Sequence, residues 1–281
     1  MKITTIASGS SGNCTCIGTE NRNILIDAGI SLKRIEAGLK SINMTPADLD
    51  GIFITHEHVD HIQGLGVLLR KYAVPVYLTE GTYEAITKNR LIGNVSDELF
   101  QVIKPDKEFA IGDMKAEAYA VSHDAAEPVV YRFTQTAVWH PQQINAQAAD
   151  AVQTQPDTSF AIVTDLGMAP DSLIERLQDL DGIILEANHD IRMLQAGPYP
   201  YKTKQRILSD LGHLSNESAA DLLLKLNNPA LSKVILGHIS KTNNYEKLAY
   251  ETLRLEMNFN GLDEKMLSVA SATQPGEPII L

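Results

Sequence analysis

Thr55-His56-Glu57-His58-Val59-Asp60-His61 follows directly on the apolar run Gly51-Ile52-Phe53-Ile54. The run predicts a short buried strand, and Ile62 to Tyr72 predicts the helix that follows it. Four metal-binding side chains, His56, His58, Asp60 and His61, therefore fall between a strand end and a helix start. Residues two apart in an extended turn project to the same side, so His56 and His58 can chelate one ion while Asp60 and His61 reach a second. Imidazole combined with carboxylate suits borderline divalent ions. Zinc and manganese are the first candidates, and iron also accepts these ligands. A merely polar, histidine-rich turn would not account for the distant partners that appear further along the chain.

Length and composition bound the rest. The 281 residues are 44% apolar and 21% charged, a globular balance with material for a sizeable core, and they are expected to form one domain over 1–281. The segment Met1 to Gly9 is too short and polar to act as a secretory signal, and no run approaches the roughly 18 apolar residues of a membrane span. A cytoplasmic protein with no membrane partner is the expectation. Cys14 and Cys16 stand two apart in an apolar segment and read as buried structural thiols. The net charge of -11 excludes a protein that coats nucleic acid non-specifically. It does not exclude an enzyme that grips phosphates locally, because two bound divalent ions would bring about +4 to one place.

Outward from the histidine turn, strand after strand ends in chemistry. Ile3 to Ala7 and Cys14 to Gly18 are joined by Ser8-Gly9-Ser10-Ser11-Gly12-Asn13, which is either a hairpin turn or a cradle of amides for an anion. Asn23 to Gly29 is an apolar strand carrying Asp27 near its end, a natural partner to hold a ligand imidazole from behind. Ser31 precedes a helix with Leu32, Ile35 and Leu39 at helical spacing. Val74 to Leu78 and Lys115 to Val121 predict further strands, the latter leading to His123, a candidate ligand by position. Phe160 to Val163 leads to Asp165, Gly182 to Glu186 leads to His189, and Lys233 to Gly237 leads to His238. Ser172-x-x-Glu175 has the pattern of a capping box opening a helix to Leu180. Other helices are expected over 81–88, from after Asn216 to about Leu226, and over 245–255.

Residues 134–159 break the pattern. Gln and Ala dominate them, with Pro141 and Pro156 as punctuation, and they read as a surface insertion with a short helix near Asn145 to Val152 and His140 as a surface histidine. Between Ile191 and Arg206, Arg192, Lys202, Lys204 and Arg206 occur with no acidic residue and are interleaved with Tyr199 and Tyr201. Cations for the backbone and aromatic faces for bases are what a groove for single strands or frayed ends needs; a solvated loop is the plainer alternative.

Seven of the eight histidines, with Asp60 and Asp165, lie just past strand ends or at helix starts, as a dinuclear site at one edge of a sheet sandwich requires. In order, His56-x-His58-x-Asp60-His61, His123, Asp165 and His238 resemble the ligand motifs of the metallo-β-lactamase fold superfamily. Ala7 to Asn13, Ser122-His123-Asp124, Thr164-Asp165-Leu166-Gly167, Glu186 to Asp190, Gly212 to Asn216 and Gly237-His238-Ile239-Ser240 resemble, more narrowly, its YycJ/WalJ-type exonucleases over nearly the whole chain. The resemblance implies an α/β (α+β) fold, an αββα sandwich of two mixed β-sheets flanked by helices. It assigns His56, His58 and His123 to one metal, Asp60, His61 and His238 to the other, and Asp165 to both. It also implies a 5′ to 3′ DNA exonuclease acting in DNA metabolism or repair, with Asp60 orienting the nucleophile and His213 as the acid for the leaving group or, alternatively, a histidine that caps a helix or supports the ligands from behind. His189 would touch substrate phosphate or orient a ligand. The true lactamases lack the shared aspartate, so antibiotic hydrolysis is not expected. Only 73 positions separate Asp165 from His238, too few for an inserted clamp domain, which makes structured RNA a weaker expectation than DNA. A small-molecule hydrolase of the same fold and a non-catalytic binding protein are the alternatives, and the complete ligand set argues against the second. Oligomeric state is not legible in the sequence.

Overall fold

The apolar runs form strands buried on both faces, and this is why they read as continuous stretches with little alternation. In a computed structural model of the protein the described residues are 1–136, 157–226 and 229–281. The short helix expected near Asn145 to Val152, and His140, lie outside them.

Two sheets stack face to face. In the first, β1 (Lys2–Ala7), β2 (Cys14–Gly18) and β3 (Asn23–Ile26) pair antiparallel, and β4 (Gly51–Phe53), β5 (Val76–Thr79) and β6 (Phe100–Ile103) follow in parallel. β14 (Ile279–Ile280) adds antiparallel to β1 at the other edge. In the second, β7 (Glu108–Ile111), β8 (Met114–Ala120), β9 (Val129–Gln135) and β10 (Thr158–Val163) pair antiparallel, and β11 (Gly182–Glu186), β12 (Lys233–Gly237) and β13 (Leu267–Val269) follow in parallel. Among the described residues each sheet therefore has three antiparallel pairings and then three parallel ones, a structural repeat that no internal sequence similarity announces.

The period of two sorts the side chains between layers. Ile24, Ile26, Phe53, Tyr131, Phe133, Phe160, Ile162, Ile184 and Ile235 meet between the sheets. Their neighbours face outward: Leu25, Ile52 and Val76 lie under α1 (Leu32–Ser41), α3 (Leu65–Tyr72) and α4 (Glu80–Lys88). Ile183, Leu185, Val234 and Leu236 lie under α5 (Asp171–Arg176), α8 (Asn216–Leu226) and α9 (Glu246–Phe259). No helix among the described residues is long and apolar enough to cross a membrane.

Several local expectations need correction. The helix after the histidine turn starts earlier, as α2 (Val59–Ile62), with His61 already inside it, and is broken before α3. At the break the Gly64 amide donates to the Ala28 carbonyl at 2.8 Å, while the Asp60 carbonyl, its partner in a continuous helix, accepts from the Asn13 amide at 2.8 Å; Gly64 suits this close approach, since a Cβ would sit 2.1 Å from the Ile30 carbonyl oxygen. The capping box at Ser172 does not form, because Pro170 occupies the N-cap of α5 and Ser172 already lies inside the helix. The basic segment is not a loop but two short helices, α6 (Ile191–Ala196) and α7 (Tyr201–Ile207), each entered from extended backbone. The strands β6, β7 and β9 had no counterpart in the sequence reading; β6 and β7 are short edge strands, and β9 carries Arg132 and polar residues at its end. The Gln/Ala-rich insertion is narrower than 134–159, since Thr134 and Gln135 belong to β9 and pair with Ser159 and Thr158 of β10. Both anchors lie at the end of β10 opposite Asp165.

Candidate metal centre

Parallel strands of both sheets end on one edge, and the polar side chains gather there. Asp27 follows β3, His56 follows β4, Asp165 follows β10, Glu186 ends β11 and His238 follows β12. Asp27, Asp165 and His238 all take left-handed backbone, with φ of 57°, 60° and 53°. That conformation costs energy in any residue but glycine and persists only where the surroundings hold it. Here it turns each side chain out of its strand toward the common edge.

His56, His58 and His123 bring one ring nitrogen each within 4.8 Å of one another, and Asp60, His61 and His238 form a second such group. Asp165 joins them: its Oδ2 is 3.2 Å from His61 Nε2, and its Oδ1 is 3.5 Å from His238 Nε2 and 3.8 Å from His123 Nε2. All of these residues except His58 and Asp60 are buried.

The rings are held from behind. Nδ1 of His61 lies 2.7 Å from Asp27 Oδ2, Nδ1 of His56 lies 3.0 Å from Thr55 Oγ1, and Nδ1 of His123 lies 3.0 Å from the Gly212 carbonyl oxygen. Nδ1 of His238 lies 2.8 Å from Glu186 Oε1. Their Nε2 atoms are thereby left for the cluster, as in ligand imidazoles whose other nitrogen is tied to a carboxylate or carbonyl. His58 differs, with Nδ1 turned toward His123 Nε2 at 3.3 Å. The Asp27 carboxylate also accepts from the Thr55 amide at 2.9 Å and faces the Thr55 hydroxyl.

Charge and burial conflict at this edge. Burial, and then the neighbouring His61, hold His56 well below the usual imidazole range. Burial opposes protonation of His61 and His238 too, yet the Asp165 carboxylate beside both raises them. Asp165 is pushed well below the carboxylate range against the cost of its burial, by His238 and His61. His56 Nε2 is buried with no hydrogen-bond partner, and Asp165 Oδ2, also buried, faces His61 Nε2 at 3.2 Å without a well-directed hydrogen bond. An acceptor nitrogen and a carboxylate oxygen without a well-directed donor, surrounded by converging imidazoles, fit a cation. The clusters suit metal ions.

A second tier surrounds the first. Glu186, wholly buried, places Oε1 2.8 Å from Nδ1 of both His213 and His238. It touches the rear nitrogen of His238 and so holds the ring without sharing its cluster-facing side. His213 is 3.6 Å from Asp165 through Nδ1, and among the described residues its Nε2 takes no hydrogen-bond partner. It precedes α8 by three positions and makes no cap to that helix. The Ser8–Asn13 turn does more than join two strands: Ser8 Oγ accepts from the His238 amide at 2.9 Å, and the Asn13 amide donates to the Asp60 carbonyl at 2.8 Å.

The remaining sequence candidates are less central. His189 is 1% exposed, both its ring nitrogens lack hydrogen-bond partners among the described residues, and burial brings it down to about 4. Arg206 pairs with Asp124, next to His123, and Lys204 donates to the Gln195 carbonyl at 2.7 Å. Arg192 and Lys202 are exposed, and Tyr199 is half-buried. α6 and α7 thus run from the Asn243 loop, whose carbonyl accepts from Asp190, to Asp124 beside the cluster. Glu186 is the residue the sequence reading left without a role. Its signals are that it ends an apolar strand in a carboxylate, as Asp27 does, and that it opens the Glu186 to Asp190 motif.

The family model described as the β-lactamase superfamily domain matches residues 22–239. The chain belongs to this superfamily. Exodeoxyribonuclease WalJ of Streptococcus pneumoniae serotype 2 is 40% identical over 253 residues, 90% of this chain and 87% of that protein. Exodeoxyribonuclease YycJ of Bacillus anthracis is 36% identical over 249 residues, 89% of this chain and 86% of that protein. Within the superfamily the chain is therefore of the YycJ/WalJ type. Among solved structures, the metallo-β-lactamase fold protein YhfI of Bacillus subtilis superposes with a TM-score of 0.66 at 16% identity, covering 98% of this chain and 99% of that one. The fold expected from the histidine motifs, two mixed sheets flanked by helices, is the fold observed.

Proposed function

We propose that this single-domain chain is a dinuclear metal-dependent phosphodiesterase that acts in the cytoplasm as a 5′ to 3′ DNA exonuclease in DNA metabolism or repair. The observation that carries the reading is the buried Asp165 carboxylate set between two triads of potential ligands, with Oδ2 3.2 Å from His61 Nε2 and Oδ1 3.8 Å from His123 Nε2. The likeness to two exodeoxyribonucleases over about nine-tenths of the chain supports DNA as the substrate. His56, His58 and His123 would hold one ion, Asp60, His61 and His238 the other, and Asp165 both; zinc or manganese suits the donors, and iron is compatible with them. When bound, such a pair lowers the pKa of a water and offsets the charge of a phosphodiester.

The chain supplies the rest. Asp60 is held deprotonated by His238 and His61 against its partial burial, and a quarter of its side chain is open, so it orients the attacking water by accepting its hydrogen bond. Cleavage leaves an alkoxide. His213, fixed on Glu186 through Nδ1, has Nε2 free to deliver a proton to the departing sugar oxygen, a role worth ~100-fold or more. Arg192 and Lys202, with Tyr199 and Tyr201, form a track for single strands or frayed ends along α6 and α7, and Lys204 and Arg206 shape it through their contacts.

The deciding experiment is degradation of a DNA duplex with different labels on its 5′ and 3′ ends, with manganese added and Asp165→Ala as control. Early release of 5′-terminal mononucleotides, lost in the variant, is expected. Absence of cleavage by the metal-loaded protein would shift the reading to a small-molecule phosphodiesterase or thioester hydrolase. In the same assay, His213→Ala should lose at least tenfold more on DNA than on an aryl phosphodiester, whose leaving group hardly needs a proton. Replacing Arg192 and Lys202 with Glu should weaken DNA binding and flatten its salt dependence.

A further inference from the structure

Beside the metal cluster lies a cavity of about 430 Å³ that none of the roles above uses. It is bounded by Ser8, by the stretch from Ile239 to Lys247 and by Ala270 and Ala272. Ser8 is a shared wall, because its hydroxyl oxygen accepts from the amide of His238 at 2.9 Å. The volume is at the lower end of the roughly 300 to 1,000 Å³ typical of small-molecule sites, enough for one small polar ligand and too little for a duplex.

The lining combines apolar surface, an aromatic ring and positive charge. Tyr245 is 54% exposed, unusual for its size, yet it is not loosely held. Its amide donates to Asn244 Oδ1 at 3.0 Å, and buried Asn244 is pinned by Nδ2 to the Ala187 carbonyl at 2.9 Å and to Asn216 Oδ1 at 2.8 Å. The ring is thus presented from a backbone clamped to the segment that follows Glu186. Lys241 and Lys247 are exposed, and among the described residues neither has an ion-pair partner; Glu246 is the one acidic side chain in the lining.

We infer that this cavity is the subsite for the terminal nucleotide that the cut releases, with the base against Tyr245 and the apolar wall and the phosphate toward Lys241 and Lys247. The inference rests on the nuclease reading and deepens it, since an open pocket with room for one nucleotide, lined by the residues that follow His238 in the chain, makes cleavage proceed one nucleotide at a time from an end. A flat aromatic face accepts any base, so the subsite would be indifferent to sequence.

The test uses the full-length, manganese-loaded protein, with oligo(dT) as substrate and dTMP as a product inhibitor. For Tyr245→Ala we expect the KM for oligo(dT) and the Ki for dTMP both to rise roughly tenfold, with kcat changed far less, and Tyr245→Trp to restore both. Lys241→Glu combined with Lys247→Glu raises both constants as well and weakens their dependence on salt. Wild-type KM and Ki in Tyr245→Ala and in the double lysine variant, alongside a wild type that degrades DNA, would overturn the subsite and leave the nuclease reading standing. A wild type that hydrolyses an aryl phosphodiester but no DNA would overturn both. Circular dichroism melting of each variant separates a lost contact from a lost fold, and Tyr245→Trp keeps the question decidable if the alanine variant melts early.

Discussion

The carboxylate of Glu186 lies 2.8 Å from Nδ1 of His213 and is wholly buried. The same Oε1 is 2.8 Å from Nδ1 of His238, so one oxygen sets the orientation of a ring in the metal cluster and of a ring beside it. Burial works against its ionisation, but His213 and His238 hold it well below the usual carboxylate range. Glu186→Gln keeps the size and removes the charge. Partners that orient ligands in this way are typically worth ~10 to 100-fold in metal affinity or activity. We expect kcat/KM for phosphodiester cleavage to fall within that range and the bound metal per chain to fall with it, measured by steady-state kinetics and elemental analysis. Activity within twofold of wild type would remove Glu186 from the mechanism.

Metal removal should be visible in stability. His56 Nε2 has no hydrogen-bond partner among the described residues and Asp165 Oδ2 faces His61 Nε2 without a well-directed hydrogen bond, and a cation that satisfies them binds the folded chain alone. A ligand at a thousand times its Kd adds about 4 kcal/mol, which for a chain of this size is roughly 7 °C in melting temperature. Scanning calorimetry of chelator-treated protein with and without added zinc or manganese should show a rise of that order, and Asp165→Ala should show little.

Gly29 gives a steric prediction. A Cβ there would come within 1.6 Å of the Asp60 carbonyl oxygen and 2.8 Å of the Asn13 amide nitrogen. Gly29→Ala must therefore displace the backbone that carries Asp60. The cost should be about 1 to 3 kcal/mol, the usual scale of overpacking. Urea unfolding will read that loss. The folded fraction should also cleave phosphodiesters more slowly than wild type, which a purely global destabilisation would not produce.

The legibility of this chain was uneven for physical reasons. His56, His58, Asp60 and His61 stand so close in sequence that spacing alone brings them together, and the apolar runs before His123, Asp165 and His238 mark strand ends. Glu186 was harder, because in an otherwise apolar strand one carboxylate says nothing of the two histidines, 27 and 52 positions on, that it contacts. The basic segment was legible in composition but not in form: Pro200 breaks it, and the result is two short helices whose Lys204 and Arg206 are already engaged with Gln195 and Asp124. Nor could the sequence show the break at Gly64, where the amide donates to the distant Ala28 carbonyl.

Cys14 and Cys16 give a chemical check on the core. Both are free and buried, and burial pushes the Cys16 thiol up to about 12 and the Cys14 thiol well above its ordinary range. A pKa raised by folding contributes stability in full below the unfolded value of about 8.5, and that contribution is lost as pH rises through the folded one. The native protein at pH 8 should leave both thiols unreacted with Ellman's reagent for hours, and two equivalents should react at once in guanidinium. Between pH 8 and 10 the urea midpoint should fall more in wild type than in a Cys14→Ala, Cys16→Ala variant.

The connection between β9 and β10 spans residues 136–157 and leaves and re-enters the sheet at the end remote from Asp165. For a flexible segment inserted between two strand ends, the entropy of closure changes by only about 0.6 kcal/mol for each doubling of its length. The chain can therefore lengthen or shorten there at small thermodynamic expense and without disturbing the ligand geometry. That pole of the molecule is where a fluorescent or affinity module could be spliced into the enzyme with the cutting edge left undisturbed.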